Sequence, residues 1–226
     1  MIQKGSPAAP ASENPDVKRL VSEFTAGEAE LATAFNHYGY KFDVLIQSIK
    51  NGKVTGEFHR ITQVSLNQSG KPEERVVSFP ASTLTEVIIT PEDLENFSGN
   101  SQFAFDPAHA GRYEFKYVSK ETINGAEAYV LEVKHKGIGA NERLFKGRIW
   151  VNPSNSRIVR MRGKFEQQSN QRFPVMDTFR TAVDGQYMFP SHGSADEEVT
   201  FQVAGRIVPS VHLRVEVRYT DYVKQP

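Results

Sequence analysis

Residues 38–66 read YGYKFDVLIQSIKNGKVTGEFHRITQVSL. Tyr38, Tyr40, Phe42, Val44 and Ile46 fall on every second position, the period of a strand with one buried face. Asn51-Gly52 follows, the dipeptide that most readily supplies the two positive φ angles of a tight hairpin. Val54, Phe58, Val64 and Leu66 then lie on a second strand that returns from the turn. The same device recurs at Asn124-Gly125, between YEFKYVSKETI and AEAYVLEVKHK, and at Asp184-Gly185, between DTFRTAV and QYMFP. Three such turns predict an antiparallel meander. Further candidate strands lie at 73–79, 84–89, 102–105, 142–151, 157–166, 198–203 and 208–223, and the sheet is expected to have about ten or eleven strands.

Before the first strand the period is helical. Val17, Leu20, Val21 and Phe24 share one face, and Thr25-Ala-Gly-Glu28 has the form of a capping box ahead of Leu31 and Phe35. One kinked helix or two short ones are expected over 16–36. Thr90-Pro91-Glu92-Asp93 starts another short helix, with a Thr cap, Pro at the first helical position and two acids in the first turn, ending near Gly99. The expected class is α+β: a curved antiparallel sheet with an N-terminal helix and a short helix at about 91–98.

Composition bounds the function. The 226 residues carry 27 Lys and Arg against 27 Asp and Glu, whereas a general nucleic-acid binder carries a basic excess. The absence of cysteine excludes disulfides, thiolate zinc sites and cysteine nucleophiles. No apolar run approaches the roughly 18 residues of a membrane span. Residues 1–15, rich in Pro, Ala and Ser, are expected to be a flexible leader, with Met1 left where a targeting segment was removed; 16–226 form one domain.

Motifs for chemistry are weak. Gly137-Ile-Gly-Ala-Asn-Glu142 has two glycines of a dinucleotide fingerprint, but Glu142 replaces the third and no helix is opened. The histidines at 37, 59, 109, 135, 192 and 212 form no H-x-H or H-E-x-x-H pair, so no metal or other cofactor is expected. Asp196, Glu197 and Glu198 are the densest carboxylates, but neighbours on a strand point to opposite faces. With His192 they are the starting point for an enzymatic reading, which is not the one adopted.

From Arg143 to Lys164 there are seven basic residues and no acid. Alternation puts Arg160, Arg162 and Lys164 on one face and Val159, Met161 and Phe165 on the other, as a sheet with one wet side requires. That stripe reads as a solvated face, or as a surface that meets anionic lipid or glycan. The opposite face is rich in large side chains. Tyr40, Phe42, Phe58, Met161, Phe165 and Phe179 are expected to line the concave side, either as packed core or as the wall of an apolar ligand site.

The block Tyr187-Met-Phe-Pro190, Ala195-Asp-Glu-Glu198 and LRVEVRYTDYVK (213–224), preceded by GRIWVNPSNSRIVRMRGKF, resembles the ending of outer-membrane lipoprotein-sorting proteins of the LolA/LolB superfamily. The order of an N-terminal helix, a run of strands and TLTEVIITPEDLENF (83–97) matches too. The resemblance implies an open half-barrel whose concave side, lidded by helices, receives acyl chains. It also implies a periplasmic location, with an anchor to the outer membrane outside this chain. The function so expected is non-enzymatic binding of a lipid or lipoprotein acyl chain, with contact to a membrane surface. The alternative is a protein-interaction or envelope-stress-sensing module on the same scaffold.

Overall fold

The three expected turns form with both central residues at positive φ: Asn51 and Gly52 at 52° and 74°, Asn124 and Gly125 at 50° and 82°, Asp184 and Gly185 at 50° and 73°. They join β1 (Tyr38–Lys50) to β2 (Lys53–Leu66), β4 (Tyr113–Ile123) to β5 (Ala126–His135), and β8 (Met176–Val183) to β9 (Tyr187–Val199). With β3 (Pro72–Ser78), β6 (Leu144–Val151), β7 (Ile158–Glu166) and β12 (Val211–Lys224) they make one ten-stranded antiparallel sheet. Its order is β3-β2-β1-β12-β9-β8-β7-β6-β5-β4, so the last strand closes the gap between the first hairpin and the meander. The sheet is an open, curved half-barrel with β3 and β4 as its edges. β10 (Gln202–Val203) and β11 (Arg206–Ile207) pair separately. The chain is seen as a computed structural model that describes residues 14–95, 97, 103–139, 142–166, 174–200, 202–203, 206–207 and 210–225.

One face of the sheet carries α1 (Val17–Phe35), whose first turn is capped by Asp16 accepting from the Arg19 amide at 3.1 Å. Leu20 and Phe24 enter an apolar cluster with Phe105, Leu131, Ile149 and Met161. Leu31 and Phe35 enter a second with Phe42, Ile46, Leu213 and Val217. Each fully buried large side chain contributes roughly 1.5–3 kcal/mol of transfer free energy, so the one helix ties together both halves of the core. A smaller cluster of Ala128, Val130 and Trp150 lies on the face without helices.

Several expectations need correction. Of the one helix or two expected over 16–36, one forms: Thr25 Oγ1 donates to the Ser22 carbonyl at 3.2 Å instead of capping a second helix, and Glu28 turns into the core. Residues 84–89 are not a strand, because β3 occupies the outer side of β2 and the chain beyond it runs without regular structure to α2 (Pro91–Glu95). Residues 103–105 are likewise irregular, with Phe105 wholly buried. The 187–190 strand does not stop at Pro190. It continues to Val199, with a bulge that leaves Ser191 as the extra residue between the Phe179–His192 and Arg180–Pro190 pairs. The short α3 (Pro107–Ala110), capped by Asp106, was unforeseen although its Asp-Pro start is a legible signal. The 1–13 part of the leader, the helix end near Gly99 and residue 102 lie outside the described residues.

Candidate functional site

The aromatic face of β2, β1 and β12 is built by alternation. Register sets Tyr40 opposite Val64, Phe42 opposite Thr62 and Ile46 opposite Phe58, all with side chains on the covered side. Phe42 and Tyr219 lie 5.3 Å apart, and Tyr40 meets Phe35 at 4.9 Å and Tyr222 at 5.7 Å. The buried phenols have partners: Tyr219 donates to the Phe97 carbonyl and Tyr222 to that of Pro190 at 2.8 Å. Burial pushes the pKa of both well above that of a free phenol, so the face stays uncharged. Tyr38, donating to Asp184, is pushed up to about 12, chiefly by burial.

This face is covered by a strap, residues 79–95 with Phe97, whose Leu84, Val87, Ile89 and Leu94 pack onto it. At its start the Thr83 amide donates to the Glu57 carbonyl and the Glu57 amide to Thr83 Oγ1, both at 2.9 Å. Farther on, Thr90 and Asp93 exchange amide-to-side-chain bonds of 2.8 and 3.3 Å and cap α2, as the Thr-Pro-Glu-Asp sequence suggested. Helix α1 is fastened differently, by Ser156 Oγ to Glu23 at 2.7 Å, by Arg157 to Glu30 at 2.8 Å, and by Arg180 to Glu28. A Cβ at Gly27 would come within 2.3 Å of Arg157 Nη1, so any larger residue there would have to displace this guanidinium.

Of the six aromatic and methionine positions expected on the concave side, Tyr40, Phe42 and Phe58 belong to the cluster under the strap. Met161 and Phe165 belong to the other, with Phe165 half-buried against Phe145 at 5.6 Å. Phe179 is placed on the opposite face. There it stacks on His192 at 4.7 Å and 8° and takes the Arg160 guanidinium at 5.1 Å on its other side. Strand alternation sends the next residue, Arg180, inward to Glu28, so an arginine occupies the core where an aromatic was expected. Glu28 and Arg180 were missed. The available signals were an acid within the apolar stripe between Phe24 and Leu31, and an arginine at core parity with Thr178.

The acid group does not converge. Asp196 accepts from His212 and from Arg214 at 3.0 Å, which together hold its carboxyl below the usual range, His212 contributing most. Glu197 instead accepts the Val175 amide at 2.6 Å. His192 Nδ1 lies 3.1 Å from Ser191 Oγ. Among the described residues no group of three or more His, Asp or Glu side chains could hold a metal ion, and no helix is long and apolar enough to cross a membrane.

No family model matches the chain, and no curated protein matches it. Among solved structures it is similar to a DUF1329 family protein from Desulfovibrio piger, at 12% identity and TM-score 0.45, over 93% of this chain and 94% of that one. A LolA superfamily protein from Nitrosomonas europaea is similar at 14% identity and TM-score 0.36, over 89% and 94%. So is an outer membrane lipoprotein-sorting protein domain from Vibrio parahaemolyticus, at 10% identity and TM-score 0.38, over 89% and 92%. Likenesses at such low identity and TM-scores below 0.5 say nothing about chemistry.

Proposed function

We propose that the protein binds an apolar chain, from a lipid or a lipoprotein, between the strap and the aromatic face of β1, β2 and β12, and that it does so in the bacterial periplasm. One observation carries the reading: a continuous apolar sheet face is closed by a segment whose only regular structure, among the described residues, is the five-residue α2. A segment with so few backbone hydrogen bonds opens more readily than a sheet strand, and an acyl chain that takes the strap's place offsets the apolar contacts the strap gives up by about 0.8 kcal/mol for each methylene sheltered. No acid, base or metal is needed for such a step. The periplasmic assignment is supported by the resemblance of the C-terminal block to lipoprotein-sorting proteins.

Titration with a fluorescent fatty acid tests the reading. Phe42→Glu puts a charge on the proposed wall and abolishes uptake, whereas Phe179→Glu, on the opposite face, leaves it intact. Unchanged uptake in Phe42→Glu would remove this face from the site. A second reading, docking of a protein partner, is favoured by the free edge, where Val76, Val77 and the following Phe79 are about half exposed.

A further inference from the structure

Arg148 on β6 and Arg162 on β7 stand directly opposite one another on the face without helices, and Lys146 and Lys164 repeat the arrangement two residues along. Like charges at directly opposed positions destabilise a strand pair. In a chain whose formal charges cancel, four cations have nevertheless been gathered into one square. The neighbouring acids are engaged elsewhere. Glu132, opposite Arg148, contacts Lys134 at 3.3 Å. Asp177, opposite Arg162, is held by Arg160 through two bonds of 2.7 and 2.5 Å. Glu166 takes His135 at 2.8 Å and Lys146 at 3.4 Å, and Glu121 accepts the Trp150 indole N–H at 2.8 Å. Among the described residues Arg148 and Arg162 make no ion pair.

The two arginines flank a hollow of about 420 Å³, lined also by Glu121, Gly147, Trp150, Arg160 and Val175. One wall is fixed. The Arg160 guanidinium lies over the Trp150 ring at 4.2 Å and next to Phe179 at 5.1 Å while it grips Asp177, so this carboxylate is held away from serving Arg148 and Arg162 as a counter-ion.

We propose that this hollow is a binding site for a phosphoryl-type oxyanion, held between the guanidinium groups of Arg148 and Arg162 with Lys146 and Lys164 adding attraction. Guanidinium groups match such an anion two oxygens at a time, and one bound anion cancels the cross-strand repulsion. The oxyanion arrives either free in solution or as the headgroup phosphate of an anionic lipid. The site lies on the face opposite the apolar one, so it stands or falls separately from acyl-chain binding.

Two titrations of the intact chain at low salt separate the sources: sodium pyrophosphate followed by calorimetry, and co-sedimentation with phosphatidylcholine vesicles with and without phosphatidylglycerol. The informative variant is Arg162→Gln, which removes the repulsion with Arg148 together with one arm of the site and sets no second carboxylate opposite Asp177. Without anion it melts at or above the wild-type temperature. Wild-type binding is expected to weaken by about tenfold or more in this variant and to fade as salt rises. Pyrophosphate binding identifies a free oxyanion; sedimentation that requires phosphatidylglycerol, without pyrophosphate binding, identifies the lipid. Wild-type protein that binds neither, or a variant that binds as tightly as wild type, overturns the proposal.

Discussion

The Glu28 carboxylate on α1 and the Arg180 guanidinium on β8 meet in a bidentate pair at 2.5 and 2.8 Å, with 1% and 0% of their side chains exposed. Around them the Arg180 guanidinium faces the Phe103 ring at 5.4 Å and the Met161 sulfur at 3.5 Å. Removing one partner leaves the other charge in the core. Glu28→Ala is therefore expected to destabilise the fold by about 3–5 kcal/mol, and Glu28→Leu with Arg180→Met to recover most of that loss. Urea unfolding of the three proteins checks it; a single variant within about 1 kcal/mol of wild type would show that the pair does not fasten the helix.

That pair also marks where the sequence stops being legible. The three Asx-Gly turns, the alternation of β1 and the helical stripe of α1 are local signals, and each formed as expected. The wet side of β7 was legible too, since Arg160, Arg162 and Lys164 do face away from the helix, with Trp150 beneath Arg160. What alternation cannot show is a bulge. One extra residue beside Trp150 moves Val159 from the expected covered face to the cluster of Trp150, and another, Ser191, stands between the Phe179–His192 and Arg180–Pro190 pairs. Phe179 was assigned inward on its hydrophobicity, whereas the core position next to it is needed for the counter-ion of Glu28.

Trp150, Arg160, Phe179 and His192 occupy one cross-strand row over β6 to β9. Arg160→Lys loses the forked bond to Asp177 and the flat contact with both rings, and is expected to cost about 1–2 kcal/mol despite keeping its charge. Trp150 is the only tryptophan of the chain and is 3% exposed. Its emission should shift to the red in Arg160→Ala as water reaches the ring. An unshifted spectrum would show that the arginine does not cover it.

Acid should loosen one loop before the rest. The Glu142 carboxyl is held at about 2 by the Arg112 guanidinium, which donates at 2.6 Å, and by the Gly139 amide, also at 2.6 Å. A depressed carboxyl contributes stability that is present above its ordinary value of 4.5 and lost as pH falls toward 2. Hydrogen exchange at the Gly139 amide is expected to speed up over that range, beyond the intrinsic pH effect, and to be fast at neutral pH in Glu142→Ala, which removes the acceptor. Protection that stays constant between pH 5 and about 2 contradicts the assignment.

The strap can be tied down. The chain has no cysteine, so Glu57→Cys with Thr83→Cys adds a single disulfide where two backbone-directed hydrogen bonds already join the strap to β2. Oxidised protein should take up a fluorescent fatty acid more slowly than reduced protein, and reductant should restore the rate. Equal rates in both forms would mean that the chain enters without movement of the strap at Thr83.

Native mass spectrometry of the purified protein, before and after incubation with membrane lipids and lipopeptides, tests acyl-chain binding most directly. Stoichiometric adducts that organic extraction removes, and whose masses identify an acyl-bearing species, are the expected result. A clean apo mass under every condition would contradict it and leave Tyr40, Phe42 and Phe58 as packed core.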